Sequence, residues 1–158
     1  MKAIVVYYSL TGKTKLIAEG LAKELGCEAK QIEEVRKRSV AGAYILGAFA
    51  AMRSKASEIK PLNIDMQAYD TFIIATPVWA SSPAPAINAF MANTNFKNKN
   101  AVFIISSASG DDSKAATLLT NKIHAKGGTV LHHHAIKTNG LKEEDINKKA
   151  KDIAGLYK

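Results

Sequence analysis

Three short stretches gather residues suited to holding a charged, flat ligand. The first is Ser-Leu-Thr-Gly-Lys-Thr at 9–14, in which Ser9, Thr11 and Thr14 set hydroxyls around Gly12 and Lys13. Before it, residues 2–8 form a β-rich apolar run; after it, Leu16, Ile17, Gly20, Leu21 and Leu25 recur at helical spacing. A strand, a hydroxyl-rich turn and a helix N-terminus bring unpaired amides and the positive end of a helix dipole to one point, which suits an anion. An ordinary helix N-cap uses the same residues, and this stretch alone leaves both readings open. Gly12-Lys13-Thr14 also ends like an ATPase phosphate loop. That loop needs a Gly five positions before Gly12, where Tyr7 stands, and no later strand ends in a suitable magnesium-binding Asp. ATP hydrolysis is therefore discounted.

The second stretch, Thr-Pro-Val-Trp-Ala-Ser-Ser-Pro-Ala-Pro at 76–85, carries the only Trp of the chain, Trp79. It follows the apolar run Thr71–Ala75 directly. Either the indole closes the end of the core, or it offers a large rigid face to a flat ligand. The third stretch, Ser-Ser-Ala-Ser-Gly-Asp-Asp at 106–112, is small and hydroxyl-rich. A phosphate cradle beside an aromatic wall suits a phosphorylated ring compound, and FMN is the natural candidate. His132-His133-His134 invites a metal reading. On a strand, however, His132 and His134 share one face and His133 the other, and two imidazoles with no nearby Cys, Asp or Glu make a poor site. No metal is expected, and His124 on a helix is unremarkable.

These stretches need a scaffold. Strand-like runs recur at 2–8, about 27–33, 69–76, 100–107 and 128–137, with helical patterns at about 13–25, 40–57, 84–93, 113–126 and 142–157. Alternation of this kind predicts one α/β domain over residues 1–158, a three-layer sandwich around a five-stranded parallel sheet of order 2-1-3-4-5. In such a sheet ligands bind beyond the carboxyl ends of the strands. The three chemical loops follow strands one, three and four, where that rule places them. The run 40–52, Val-Ala-Gly-Ala-Tyr-Ile-Leu-Gly-Ala-Phe-Ala-Ala-Met, is too short for a bilayer span, which needs about twenty residues. It reads as a helix packed on the sheet, with a dimer seam or a flap carrying Tyr44 or Phe49 as alternatives.

The chain has 158 residues, 47% of them hydrophobic and 23% charged, and a net charge of +8. Those proportions fit a folded globular domain rather than a disordered one. The single Cys27 rules out an internal disulfide and suits a reducing cytoplasm; no secretory signal is recognisable. Arg occurs only at 36, 38 and 53, with no interleaved aromatics, so neither a nucleic-acid partner nor a membrane is expected. The diffuse positive charge steers an acidic partner or serves solubility alone.

The residues at 9–14 and 76–85 resemble those of the flavodoxins. Ser-Leu-Thr-Gly-Lys-Thr is similar to that family's hydroxyl-x-Thr-Gly-x-Thr phosphate loop, and Pro-Val-Trp-Ala-Ser-Ser-Pro-Ala-Pro to its first flavin-flanking loop. The likeness runs along essentially the whole chain and is strongest to short, single-domain members with a Pro-Val-Trp loop. It implies a flavodoxin-like fold, noncovalent FMN and one-electron transfer. It also implies a phosphate role for Ser9, Leu10 (through its backbone), Thr11, Gly12, Lys13 and Thr14. Contact with the flavin falls to Thr76, Pro77, Val78, Trp79 and Ala80, and the ring edge or pyrimidine side to Ser107, Ala108 and Gly110. This chain departs from the family in being basic, in lacking an aromatic in the third loop, and in carrying Ala80 where a Gly commonly follows the Trp.

The expected function is electron transfer between redox-protein partners by a monomer or weak dimer, with no catalytic acid or nucleophile supplied by the protein. An FMN-dependent NAD(P)H:quinone or flavin reductase is the alternative, and an interaction module with an empty site a third. The response regulators share the topology, but the acidic cluster expected after their first strand is missing here. Asp111 and Asp112 are expected to disfavour an anionic reduced flavin or to cap the following helix, with a cap favoured for at least one. Positive overall charge attracts added electrons, with screening beyond about 10 Å in ordinary salt. Redox titration of FMN-loaded protein is therefore expected to give a less negative potential for full reduction than acidic proteins of this fold show. A couple as low as theirs refutes the inference.

Overall fold

Period-two alternation sorts the strand residues onto two faces of one sheet, as the computed structural model shows. The structure describes residues 1–36, 39, 42 and 55–158. Among them the strands are β1 (Ala3–Tyr7), β2 (Glu28–Gln31), β3 (Thr71–Trp79), β4 (Ser82–Pro83), β5 (Asn100–Ser107) and β6 (Thr129–Lys137). The helices are α1 (Lys13–Leu25), α2 (Pro85–Asn93), α3 (Ser113–Ala125) and α4 (Glu143–Ala154). Five strands pair in parallel in the order β2-β1-β3-β5-β6, which is the predicted 2-1-3-4-5 order of a flavodoxin-like sandwich.

Ile4, Val6, Phe72, Ile74, Phe103 and Ile105 face α2 and α3, where Ile87, Phe90, Leu119 and Ile123 cover them. Phe96 lies edge-on to both Phe72 and Phe90 at 5.7 and 6.0 Å. The intervening residues Val5, Ile73, Val102 and Ile104 face α1 and α4, against Ile17, Leu21 and Ile146. Fully burying a side chain of this size contributes about 1.5–3 kcal/mol, so the central strands dominate stability. Gly20 lets the two helices on that face approach: a Cβ there would meet the Cβ of Ala150 at 3.3 Å.

Two departures from expectation are local. β4, a two-residue strand antiparallel to β3, occupies a stretch that reads as loop because it is polar and holds a Pro. The run 40–52, with Tyr44 and Phe49, lies outside the described residues apart from Gly42, as do Lys37 and Arg38 after Arg36; residues 55–57, assigned to that helix from periodicity, form no helix. No helix among the described residues is long and apolar enough to cross a membrane.

β6 pairs with β5 alone, and its histidines divide as alternation requires. The His132 and His134 ring centroids are 6.5 Å apart on one face, where His134 Nε2 and the Tyr157 hydroxyl share a 2.7 Å hydrogen bond. His133 points the other way, with Nε2 3.6 Å from Asp112 Oδ2. Among the described residues no group of His, Cys, Asp and Glu side chains could hold a metal. Burial first, and then the neighbouring His132 and His133, hold the His134 pKa below the usual histidine value. The fold thus favours the neutral ring, and below about pH 6.5 the unfolded chain takes up the proton first. This contribution to stability is complete above that pH and is lost as pH falls. His134→Gln, which keeps a partner for Tyr157, is expected to shrink the drop in thermal midpoint between pH 7.5 and pH 5. An unchanged drop assigns the acid sensitivity elsewhere.

Candidate functional site

Beyond Tyr7 the chain makes one more ladder bond, from the Tyr8 N–H to the Ala75 carbonyl at 3.2 Å, and leaves the sheet. Ser9 Oγ accepts the Gly12 N–H at 3.1 Å, closing the turn, and Gly12 starts α1 with φ at 91°. Only a residue without Cβ adopts that conformation at little cost. Among the described residues no side chain caps α1, and the amides of its first turn have no partner inside the helix and suit an outside acceptor. Thr14 is 3% exposed, and its Oγ1 lies 2.8 Å from Ser106 Oγ. The two nearby lysines differ. Lys13 turns inward and donates to the Thr138 carbonyl at 3.2 Å, whereas Lys15 runs along the helix to Glu19 at 3.8 Å.

The second loop is a tight hairpin. Val78 pairs with Pro83 and Trp79 with Ser82, leaving Ala80 and Ser81 as the two turn residues, at φ 48° and 61°. Such a turn ordinarily uses Asn and Gly, and each L-residue held there costs about 1–2 kcal/mol. Thr76 is fully buried and braces the loop: its Oγ1 donates to the Pro77 carbonyl at 2.9 Å and accepts the Ala84 N–H at 3.2 Å. Trp79 is half-buried and meets Tyr8 edge-on, with centroids 5.9 Å apart at 81°. It both packs against the core and lines the cleft.

In the third loop Ser107 Oγ accepts the Gly110 N–H at 2.8 Å. The Ser107 carbonyl accepts both the N–H and Oγ1 of Thr138, at 2.8 and 3.2 Å, which fastens the loop to the end of β6. Asp111 Oδ1 accepts the Ser113 N–H and hydroxyl at 3.2 and 3.0 Å, making Asp111 the residue that serves the start of α3. Asp112 occupies the N-cap position without a side-chain cap bond, and its carboxylate faces His133.

The three loops enclose a cleft of about 410 Å³, within the roughly 300–1,000 Å³ usual for small-molecule sites. Of the residues singled out in the sequence, Leu10, Thr11, Lys13, Thr14, Pro77, Val78, Trp79, Ala80, Ser107 and Ala108 line it. Ser9, Gly12, Thr76 and Gly110 stand behind the lining and shape it through the hydrogen bonds described above. Sequence reasoning missed two lining residues, Ser106 and Thr138. Ser106 was legible as a hydroxyl closing an apolar run; Thr138 carried no signal beyond its place after the last strand. Among the described residues the lining holds several hydroxyls, the Lys13 ammonium and no carboxylate. This donor set fits a phosphorylated flavin.

The sequence profile described as NADPH-dependent FMN reductase matches residues 1–138. A protein from Bacteroides eggerthii superposes with a TM-score of 0.78 at 22% identity, covering 97% of this chain and 98% of that one. A flavoprotein from Lactobacillus acidophilus, solved in complex with FMN, gives 0.72 at 23% identity, covering 84% and 91%. Oxidised flavodoxin 1 from Bacillus cereus gives 0.60 at 17% identity, covering 98% and 95%. At these identities the likeness carries the flavodoxin-like fold. No curated protein matches the sequence. For the strained turn, Ala80→Gly is expected to raise unfolding free energy by about 0.5–1 kcal/mol, after the entropy lost by Gly, and Ala80→Val to lower it by at least about 1 kcal/mol. Denaturant titration checks both, and two unchanged midpoints mean that the turn stores no strain.

Proposed function

The chain belongs to the NADPH-dependent FMN reductase family; from that premise we propose that it is an FMN-dependent oxidoreductase drawing electrons from NAD(P)H and passing them to acceptors such as quinones or free flavin. The observation that carries this reading is the make-up of the cleft wall. Trp79 is the one aromatic side chain among the described lining residues, and the third loop adds only Ser106, Ser107 and Ala108. Among the described residues no aromatic of the third loop would cover the ring face that a dihydronicotinamide must approach.

FMN, when bound, supplies the redox chemistry, accepting electrons in pairs and releasing them singly or in pairs. The amides of the Ser9–Thr14 turn and the inward Lys13 ammonium would hold its phosphate, with the dipole of α1 adding to the attraction. Trp79, with Pro77 and Val78 beside it, would flank the ring and keep water from that side. The described lining residues would bind, orient and shield the flavin, through the hydroxyls of Thr11, Thr14, Ser106, Ser107 and Thr138 and the apolar Pro77, Val78 and Trp79.

A one-electron carrier remains the second reading. It is favoured by the hydroxyl-x-Thr-Gly-x-Thr pattern of residues 9–14, which reductases of this fold usually lack. Anaerobic mixing of FMN-loaded protein with NADPH separates the two: rapid bleaching of the flavin band is expected, and a persistent oxidised spectrum moves the assignment to a carrier. Trp79→Ala is expected to weaken FMN binding about ten-fold and to relieve quenching of flavin fluorescence. Unchanged affinity and quenching return Trp79 to a purely structural role.

A further inference from the structure

Tyr8 lies behind the cleft lining, next in sequence to the Ser9 turn and packed against Trp79. It is the last residue held to the sheet before the phosphate turn begins at Ser9, and it is 5% exposed. Its ring lies edge-on to Trp79 at 5.9 Å. Its hydroxyl donates to Glu34 Oε2 at 2.9 Å in a buried hydrogen bond. Glu34 is itself only 6% exposed, and its backbone is clamped on both sides. The Val35 N–H donates to the Glu58 carbonyl at 2.9 Å, and the Lys60 N–H to the Glu33 carbonyl at 2.8 Å.

We infer that Tyr8, anchored by Glu34, is a positioning residue that fixes the angle of the Trp79 indole toward the flavin. This inference rests on the FMN reading of the cleft. A Phe at position 8 would fill the same core volume without bringing a carboxylate out of water, so packing alone does not call for the phenol. What the hydroxyl adds is restraint. Bound to a carboxylate whose backbone is paired on both sides, the Tyr8 ring cannot slide or tilt freely. An edge-to-face neighbour then loses freedom with it. The Ala80-Ser81 turn holds the backbone next to Trp79, leaving the side-chain torsions as the remaining freedom of the indole, and Tyr8 limits those.

Because Trp79 is the sole Trp, its emission reports on the indole with or without flavin. Tyr8→Phe is expected to speed depolarisation of Trp79 fluorescence in the apoprotein. In the FMN-loaded protein it should raise residual flavin emission and weaken binding about five-fold. Glu34→Gln, whose amide oxygen still accepts the phenol, should keep wild-type behaviour in each measurement. In a Trp79→Phe background, Tyr8→Phe should change FMN affinity less than about two-fold, since the indole it positions is gone. Wild-type anisotropy and flavin emission in Tyr8→Phe overturn the proposal, as does an affinity loss of equal size in both backgrounds. Should Tyr8→Phe fail to fold, Tyr8→Phe with Glu34→Leu removes both sides of this hydrogen bond and faces the same criteria. Wild-type protein that takes up no FMN sinks the flavin reading, while the anisotropy of the apoprotein still decides whether Tyr8 holds the indole.

Discussion

A buried pair of hydroxyls joins the start of α1 to the end of β5: Thr14 Oγ1 and Ser106 Oγ, 2.8 Å apart. Each is nearly inaccessible to water, and leaving either unpaired there would cost on the order of 1–3 kcal/mol. The bond exists only because β1, β3 and β5 pair in a register that brings Tyr7 level with Ala75 and Pro77 level with Ser106. Three loops therefore leave the sheet at one height. The Ser106 hydroxyl also donates to the Thr76 carbonyl, at 3.4 Å, so one side chain at the end of β5 ties the start of α1 to β3. Cleft shape follows from this junction more than from any single loop.

The electrostatics of the cleft are arranged by side chains turning toward or away from it. The inward Lys13 brings the one charge among the described lining residues, and Asp111 and Asp112 are engaged elsewhere, with Ser113 and toward His133. A net charge of +8 spread over the surface acts at longer range and is screened by salt, whereas the Lys13 ammonium is held at the cleft by its bond to the Thr138 carbonyl.

Much of this was legible from residue types. The apolar runs of β1, β3 and β5 announced strands buried on both faces, and the helical repeat after Lys13 placed α1 at its observed bounds. The likeness to flavodoxins holds at the level of a flavodoxin-like flavoprotein fold, while the family whose profile matches is that of the FMN reductases. The hairpin through Ala80 and Ser81 was hidden, because neither residue signals a turn that needs positive φ. Ser106 passed for the end of a strand rather than a wall, and Thr138 for an ordinary residue after one.

What the sequence determined by itself was periodicity and punctuation: which segments become strands or helices, which face each residue takes, and which loops carry hydroxyls and an indole. Those features arise from neighbours a few positions apart. Tertiary structure alone decided that Lys13 rather than Lys15 turns inward, that Thr138 joins the lining, and that Tyr8 links Glu34 to Trp79. Each of these depends on contacts between segments tens of residues apart, and their geometry is set only when strand register and helix packing are complete.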